Sequence, residues 1–461
     1  MELIHQYKNN GYNIVLDVNS GAVHVLDDMA YDVVACFDEA IKKQICVQDI
    51  TAYAQEKLKN TYDLEALQEV SDEIHSLIQD KRLFTEDEYE TYIESVTKRK
   101  TVVKALCLHI AHDCNLACKY CFAEEGEYHG RRALMSYEVG KKALDFLIAN
   151  SGKRKNLEVD FFGGEPLMNW QVVKDLVAYG RSQEEKHGKH FRFTLTTNGV
   201  LLNDEVQEFA NREMDNVVLS LDGRKEKNDF MRPFRNGKGS YDHIVPKFQK
   251  LAESRNQERY YIRGTFTRNN LDFSEDIKKF DELGFKQMSM EPVVSLPEEP
   301  YAIGESDLPQ IFAEYDKLAK YMIGQEREKK GFNFFHFMLD LEGGPCVAKR
   351  LAGCGAGTEY LAITPWGDMY PCHQFVGKEE FIMGNVDDGI VKPTIVEEFR
   401  ACNVYTKEKC KNCFSKFYCS GGCMANSYNF HNTIHDAYDI GCEMQRKRVE
   451  CSIMIQAALA E

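Results

Sequence analysis

Cys114-Asn-Leu-Ala-Cys118-Lys-Tyr-Cys121 follows directly on the apolar stretch Val102–Ile110. Three thiolates spaced C-x3-C-x2-C can wrap onto one iron–sulfur cube, but cluster ligation normally uses four cysteines, so one iron is left over. Such an iron can chelate a small molecule. The run also stands where a loop at a strand end is expected, the place where barrel scaffolds carry their chemistry. A zinc knuckle is the plainer reading; it wants four ligands, usually in pairs spaced C-x2–4-C. The nearby candidates for a fourth are Cys107, His109 and His112.

Working outward, strands and helices alternate from about Val102 to Val294. Strands are expected at Val102–Ile110, Leu157–Phe162, Phe191–Thr197, Asn216–Leu221, Tyr260–Thr267 and Gln287–Pro292, with helices at Tyr137–Ala149, Gln171–Glu185, Glu205–Glu213, Tyr241–Glu253 and Ser274–Leu283. Nearly continuous apolar strands separated by helices imply parallel pairing with the helices outside. Six such units are too few for a closed eight-stranded barrel. The fold class is therefore α/β, a partial (β/α)6 barrel over 102–335, and its functional residues are expected at the C-terminal ends of the strands.

The sequence puts its unusual residues there. Gly163-Gly164-Glu165-Pro166 follows the second strand, Thr196-Thr197-Asn198-Gly199 the third and Ser220-Leu221-Asp222-Gly223 the fourth. Each passes as a turn in isolation. Paired glycines also let backbone approach a ligand, and a carboxylate beside them can hold an ammonium group. With Tyr120 as the aromatic before its third cysteine, the opening run resembles the cluster motif of radical S-adenosylmethionine (SAM) enzymes, whose fold is this partial barrel. The resemblance implies that Cys114, Cys118 and Cys121 hold a 4Fe-4S cluster and that SAM binds its open iron. Gly163, Gly164 and Glu165 would hold the amino group of SAM's methionyl part, while Tyr120, Thr196, Asn198, Ser220, Asp222 and Arg232 would line the cofactor pocket. It also implies a low-potential electron donor such as ferredoxin or flavodoxin.

The composition of the 461 residues is globular, with 43% hydrophobic and 11% aromatic side chains, and the length suggests two or three domains. A net charge of −16 argues against a partner bound by neutralising its phosphates, so no nucleic acid is expected. The N-terminus lacks a signal-peptide core and no apolar run is long enough to span a membrane. A cytoplasmic protein is expected, in which the sixteen cysteines more often hold metal than form disulfides.

Before the barrel, residues 1–84 read as a small α+β unit. Tyr12–Val18 and Asn19–Leu26 form a hairpin around Asn-Ser-Gly, and helical patterns follow at Ala30–Lys42, Val47–Leu58 and Leu64–Asp80. The unit resembles the winged-helix-like peptide-recognition domain of enzymes that modify ribosomally made peptides, which implies that a precursor peptide adds a strand to the hairpin edge. A stabilising cap is the alternative. The charged segment 85–101 reads as a linker.

Beyond the barrel, residues 336–461 hold a second cysteine field. Cys410-x2-Cys413-x5-Cys419-x3-Cys423 taken alone favours a zinc ribbon. Together with Cys354, Gly367-Asp-Met-Tyr-Pro-Cys372 and Cys442, it resembles the SPASM extension of radical SAM peptide maturases, which carries two auxiliary clusters. By position, Cys354, Cys372 and Cys423 would bind the first, and Cys410, Cys413, Cys419 and Cys442 the second, giving three 4Fe-4S clusters in all. Cys346 stands near the place of a fourth ligand for the first. Cys36, Cys46, Cys107, Cys402 and Cys451 read as ordinary thiols.

Two subfamilies differ beside Cys372. Anaerobic sulfatase-maturating enzymes place an aspartate base after that cysteine, whereas this chain has His373-Gln374. The stretches Gly11–Val25 and Gly353–Pro365 with Cys372-His-Gln-Phe resemble instead the maturases of cysteine-rich SCIFF peptides, which implies a thioether joining a cysteine sulfur to a backbone carbon of another residue. Formylglycine formation is the second reading. A non-catalytic iron–sulfur or zinc protein is a third, and it leaves Gly163-Gly164-Glu165-Pro166 unexplained.

Overall fold

The computed structural model describes residues 2–128, 130–341 and 347–460. At the N-terminus, β1 (Ile4–Asn9), β2 (Tyr12–Asp17) and β3 (Val23–Leu26) form an antiparallel sheet in that order, followed by α1 (Asp28–Lys42), α2 (Ile50–Leu58) and α3 (Leu64–Gln79). The sequence reading gives two of these strands. β1 escapes it because Ile4-His-Gln-Tyr-Lys-Asn does not alternate, although Asn10-Gly11, both at positive φ, is the two-residue turn that such hairpins favour. Asp27 and Asp63 start α1 and α3 by accepting backbone N–H bonds.

The segment 85–101 contains α4 (Ile93–Lys98) and is docked rather than free. Asp87 accepts from the buried Lys416 ammonium at 2.7 Å and from the Tyr405 hydroxyl at 2.8 Å.

The barrel follows as β4 (Ala105–His112), β5 (Ala133–Leu134), α5 (Tyr137–Asn150), β6 (Asn156–Gly163), α6 (Trp170–His187), β7 (His190–Thr197), α7 (Asp204–Glu213), β8 (Met214–Ser220), α8 (Lys225–Met231), α9 (Tyr241–Ser254), β9 (Tyr260–Phe266), α10 (Phe273–Glu282), β10 (Gln287–Pro292), α11 (Leu308–Arg327) and β11 (Asn333–Phe334). Strands β4, β6, β7, β8, β9 and β10 pair in parallel in sequence order. Every residue of β4 after the first is buried, as expected of a strand covered on both faces. Ser136 and Asn203 cap α5 and α7, and left-handed Gly188 ends α6.

Two extensions go beyond the six units. β11 adds in parallel to β10. After α12 (Val347–Ala352), β12 (Tyr360–Ile363) adds in parallel to the outer edge of β4, and β13 (Asp368–Tyr370), β14 (Gly384–Asn385) and β15 (Gly389–Ile390) continue as an antiparallel meander. Thus the cysteine-rich segment is stitched into the barrel sheet. It ends in α13 (Pro393–Ala401), α14 (Glu408–Lys411), α15 (Lys416–Cys419), α16 (Met424–His431) and α17 (Asp439–Ala460). Helix α17 binds the whole together: Arg448 Nε donates to Tyr315 of α11 at 2.8 Å, and the Tyr7 hydroxyl of β1 donates to the Glu450 carbonyl at 3.0 Å. One hydrophobic core runs from Tyr7 to Ala458.

Candidate functional site

The cysteine loop leaves β4 and is pinned from the far side of the barrel. Ala117 N–H donates to the Pro233 carbonyl and Lys119 N–H to the Met231 carbonyl, both at 2.9 Å, and Arg235 pairs with Asp113 at 2.8 Å. Cys118 and Cys121 are close enough to act on the Cys114 thiol, and Cys121 on the Cys118 thiol, so the three face a common space. Burial, then Glu165, pushes Cys114 up to about 12; burial pushes Cys118 up to about 11, against the pull of Arg232. Such thiols ionise when a cation binds them.

Gly163 and Gly164 lie against this loop so closely that only glycine fits. A Cβ on Gly163, at φ +121°, would meet the Ala111 oxygen at 2.4 Å, and one on Gly164 the Asp113 oxygen at 2.1 Å.

Glu165, expected to hold the amino group of SAM, is also tied to its own chain. It is fully buried and its carboxylate accepts from the Thr197 hydroxyl at 2.8 Å, Asn198 N–H at 2.8 Å and Leu167 N–H at 3.0 Å. With these donors satisfied by its own chain, Glu165 clamps the Thr196–Asn198 loop. Asn198 Nδ2 in turn reaches the Cys114 sulfur at 3.5 Å and the Asn115 side chain at 2.7 Å.

Asp222 is likewise set back behind Tyr120, which donates to it at 2.6 Å and accepts from Arg232 at 2.7 Å. Burial pushes the Asp222 carboxyl up, against the pull of Arg232.

These parts surround a cavity of about 430 Å³. Gly163, Gly164, Thr196, Asn198, Ser220, Tyr120 and Arg232 reach its wall with the three cysteines, whereas Glu165 and Asp222 do not. Sequence reasoning missed Arg263 from the middle of β9, Glu291 near the end of β10, and Asn426 and Asn429 of α16, all of which line it. The signal for Glu291 was its place at a strand end; Arg263 and the asparagines carried none. His373 closes the same wall, its ring 5.1 Å from Phe162 and its Nδ1 3.2 Å from the Tyr360 hydroxyl. Burial lowers its pKa to about 4, so it is neutral at pH 7.

In the second cysteine field burial raises the thiols first and neighbouring thiols raise them further. Cys423 and Cys354 raise Cys372, while Cys442 and Cys413 raise Cys410, Cys410 and Cys413 raise Cys419, and Cys419 and Cys413 raise Cys442. Cys346 lies outside the described residues. Among those described, no three His, Cys, Asp or Glu side chains converge closely enough for a single metal ion. A tetrahedral zinc site requires that convergence, while a cube spreads its ligand sulfurs over its corners. His109 and His112 are bonded to each other at 2.9 Å. Grouped thiols are the donor set that iron–sulfur clusters take, and the buried Arg232 Nε, without a partner among the described residues, fits an anionic group such as the carboxylate of SAM.

Residues 108–290 match the Radical SAM superfamily, and residues 354–414 match the SPASM family, an iron–sulfur cluster-binding domain. The chain is a radical SAM/SPASM protein. Among its relatives, the mycofactocin maturase MftC of Mycolicibacterium smegmatis is 28% identical over 70% of this chain and 79% of that protein. The cysteine-type anaerobic sulfatase-maturating enzyme of Clostridium novyi is 25% identical over 74% and 92%. Streptococcus suis SuiB bound to its precursor peptide SuiA shares the fold, with a TM-score of 0.54 and 16% identity over 96% of this radical SAM/SPASM chain and 99% of SuiB. Among the described residues no helix is long and apolar enough to cross a membrane.

Proposed function

We propose that this radical SAM/SPASM enzyme matures a ribosomally made, cysteine-rich precursor peptide by joining a cysteine sulfur to the backbone carbon of another residue. The observation that carries the reading is the composition of the cavity wall. One side comes from the Cys114–Cys121 loop, Gly163-Gly164 and Arg232. The other comes from His373, next to Cys372, and from Asn426, three residues after Cys423. A peptide residue in the cavity would lie between the SAM site and the first auxiliary cysteine group.

When bound, SAM and the cluster at Cys114, Cys118 and Cys121 supply a 5′-deoxyadenosyl radical, and the auxiliary clusters at Cys354, Cys372 and Cys423 and at Cys410, Cys413, Cys419 and Cys442 supply electron acceptors and a hold for sulfur. The chain's own residues bind and shield. Arg232 offers Nε to the cofactor carboxylate, Tyr120 fixes Arg232, and Gly163-Gly164 give the methionyl part a backbone surface. Asn426, Asn429 and Gln374 offer amide groups to the peptide backbone. Neutral His373 can accept a proton from an incoming thiol.

The unpaired outer edge of β3, with Val25 46% exposed, supports docking of the precursor as an added strand. SuiB, which its solved structure shows bound to a precursor peptide, and MftC, a maturase by name, favour the same reading. A cytoplasmic setting with ferredoxin or flavodoxin as donor completes it; the fifteen described cysteines are all free of disulfides.

The test is anaerobic turnover with SAM, a strong reductant and a co-expressed cysteine-rich peptide. A peptide lighter by one hydrogen pair per cross-link, with its chain intact, supports the proposal. Conversion of a cysteine or serine side chain to an aldehyde would replace it with the formylglycine reading.

A further inference from the structure

Two lysines are fully buried, Lys407 at 2% exposure and Lys416 at 2%. Lys416 has its carboxylate in Asp87. Lys407 has none among the described residues: its ammonium donates to the Gly421 carbonyl at 2.8 Å, and its charge acts on four cysteines, Cys402, Cys410, Cys419 and Cys423. A buried ammonium without a counter-charge is costly enough that such residues are almost always paired. The missing anion therefore has to be sought in what those cysteines become.

The location is specific. Gly421 belongs to Cys419-Ser-Gly-Gly-Cys423, which passes from a cysteine of the second auxiliary group to one of the first. The aliphatic stem of Lys407 lies against Gly421, 3.8 Å from where a Cβ would be. The Lys407 carbonyl accepts from Cys410 N–H at 2.9 Å, so its backbone also positions the first cysteine of the second group. The positive charge favours the thiolates of Cys410 and Cys419 on one side and of Cys423 on the other. Its charge also acts on the Cys402 thiol, whose Sγ donates to the Ile434 carbonyl at 3.2 Å.

We propose that Lys407 is a shared counter-cation for the two auxiliary clusters, a positioning residue that raises the reduction potential of both. The inference rests on the reading that these cysteines hold iron–sulfur clusters. A reduced cluster carries one more negative charge than an oxidised one, and the net charge around a cluster helps set its potential. A fixed cation between two clusters stabilises the reduced form of each. Removing it lowers both potentials and leaves the cluster at Cys114, Cys118 and Cys121, on the far side of the cavity, unchanged.

The test uses the full chain loaded with iron and sulfide, followed by redox titration with electron paramagnetic resonance. Lys407→Gln keeps a donor for the Gly421 carbonyl and removes the charge; Lys407→Arg keeps the charge. The expected result is an at least tenfold less favourable reduction of both auxiliary clusters in Lys407→Gln, about 59 mV for one electron, with Lys407→Arg near wild type. Wild-type potentials in Lys407→Gln, or an equal shift of all three clusters, would overturn the proposal. Should Lys407→Gln fold by circular dichroism but fail to load iron, loading by Lys407→Arg supports a need for the charge, and failure of both variants shows a purely steric role. Absence of the auxiliary signals in wild type would instead remove the cluster reading itself.

Discussion

The Tyr120 hydroxyl accepts from Arg232 Nη1 at 2.7 Å and donates to Asp222 at 2.6 Å. One phenol thus joins the cysteine loop to two buried groups of opposite charge. Tyr120→Phe keeps the ring and leaves both without this partner, at a cost of about 1–3 kcal/mol. The expected outcome is about tenfold weaker SAM binding, measured by equilibrium dialysis on the iron-loaded enzyme, with iron content unchanged.

Glu165 discriminates between a contact and a clamp. Glu165→Ala strands three buried donors, each worth about 1–3 kcal/mol. The clamp therefore predicts a lower Tm without SAM as well as weaker SAM binding. A residue that only touched the cofactor would lose affinity and leave the Tm of the SAM-free protein where it was.

What the sequence made legible follows the range of the interactions. The six barrel strands and five of the helices between them come within about three residues of their observed ends, because each is decided by local apolar periodicity and caps; the short α8 escaped the reading. The glycines at 163 and 164 were equally legible, since only a close approach requires a pair of them. Glu165 was placed at the pocket by its position beside paired glycines and by the family resemblance, Asp222 by the resemblance alone. Their burial depends on Thr197 and Tyr120, which no local pattern connects to them. The pairing of β12 with β4 joins Tyr360 to Ala105, and nothing in either strand announces so distant a partner. With it come His373, Asn426 and Asn429, and hence the far wall of the cavity.

The docked segment 85–101 gives a stability prediction. Asp87 and Lys416 have side chains 4% and 1% exposed, and removing one member of a buried pair costs about 3–5 kcal/mol. Asp87→Ala is expected to lower the unfolding midpoint and to open the bonds after Lys98, Arg99 and Lys100 to trypsin. Unchanged proteolysis would mean that the segment is held by its other contacts.

Asp160, on β6 inside the barrel, gives a pH dependence. Burial raises its carboxyl from 3.8 to about 7, the bond from Thr196 opposing. The folded protein therefore holds a proton that the unfolded chain releases, and stability contributed by this group falls as pH rises from about 4 to about 7. Asp160→Asn removes the titration. Its Tm should match wild type near pH 4 and exceed it at pH 8; equal differences at both values would show that Asp160 ionises normally.

The last prediction concerns the edge of β3. Among the described residues β3 pairs only with β2, Val25 lying opposite Ile14, which leaves its other side for a strand from the precursor. Added main-chain bonds supply affinity there and exposed side chains supply selection. Val25→Asp puts a charge where an apolar contact is expected, while the Cys114–Cys121 loop is built from a different sheet. Precursor binding by fluorescence anisotropy should weaken about tenfold, and peptide-independent release of 5′-deoxyadenosine should stay at the wild-type rate. Loss of both together would mean that the N-terminal sheet supports the barrel, whereas no change in either would leave β3 without a role in docking and move the search to the acidic surface around it.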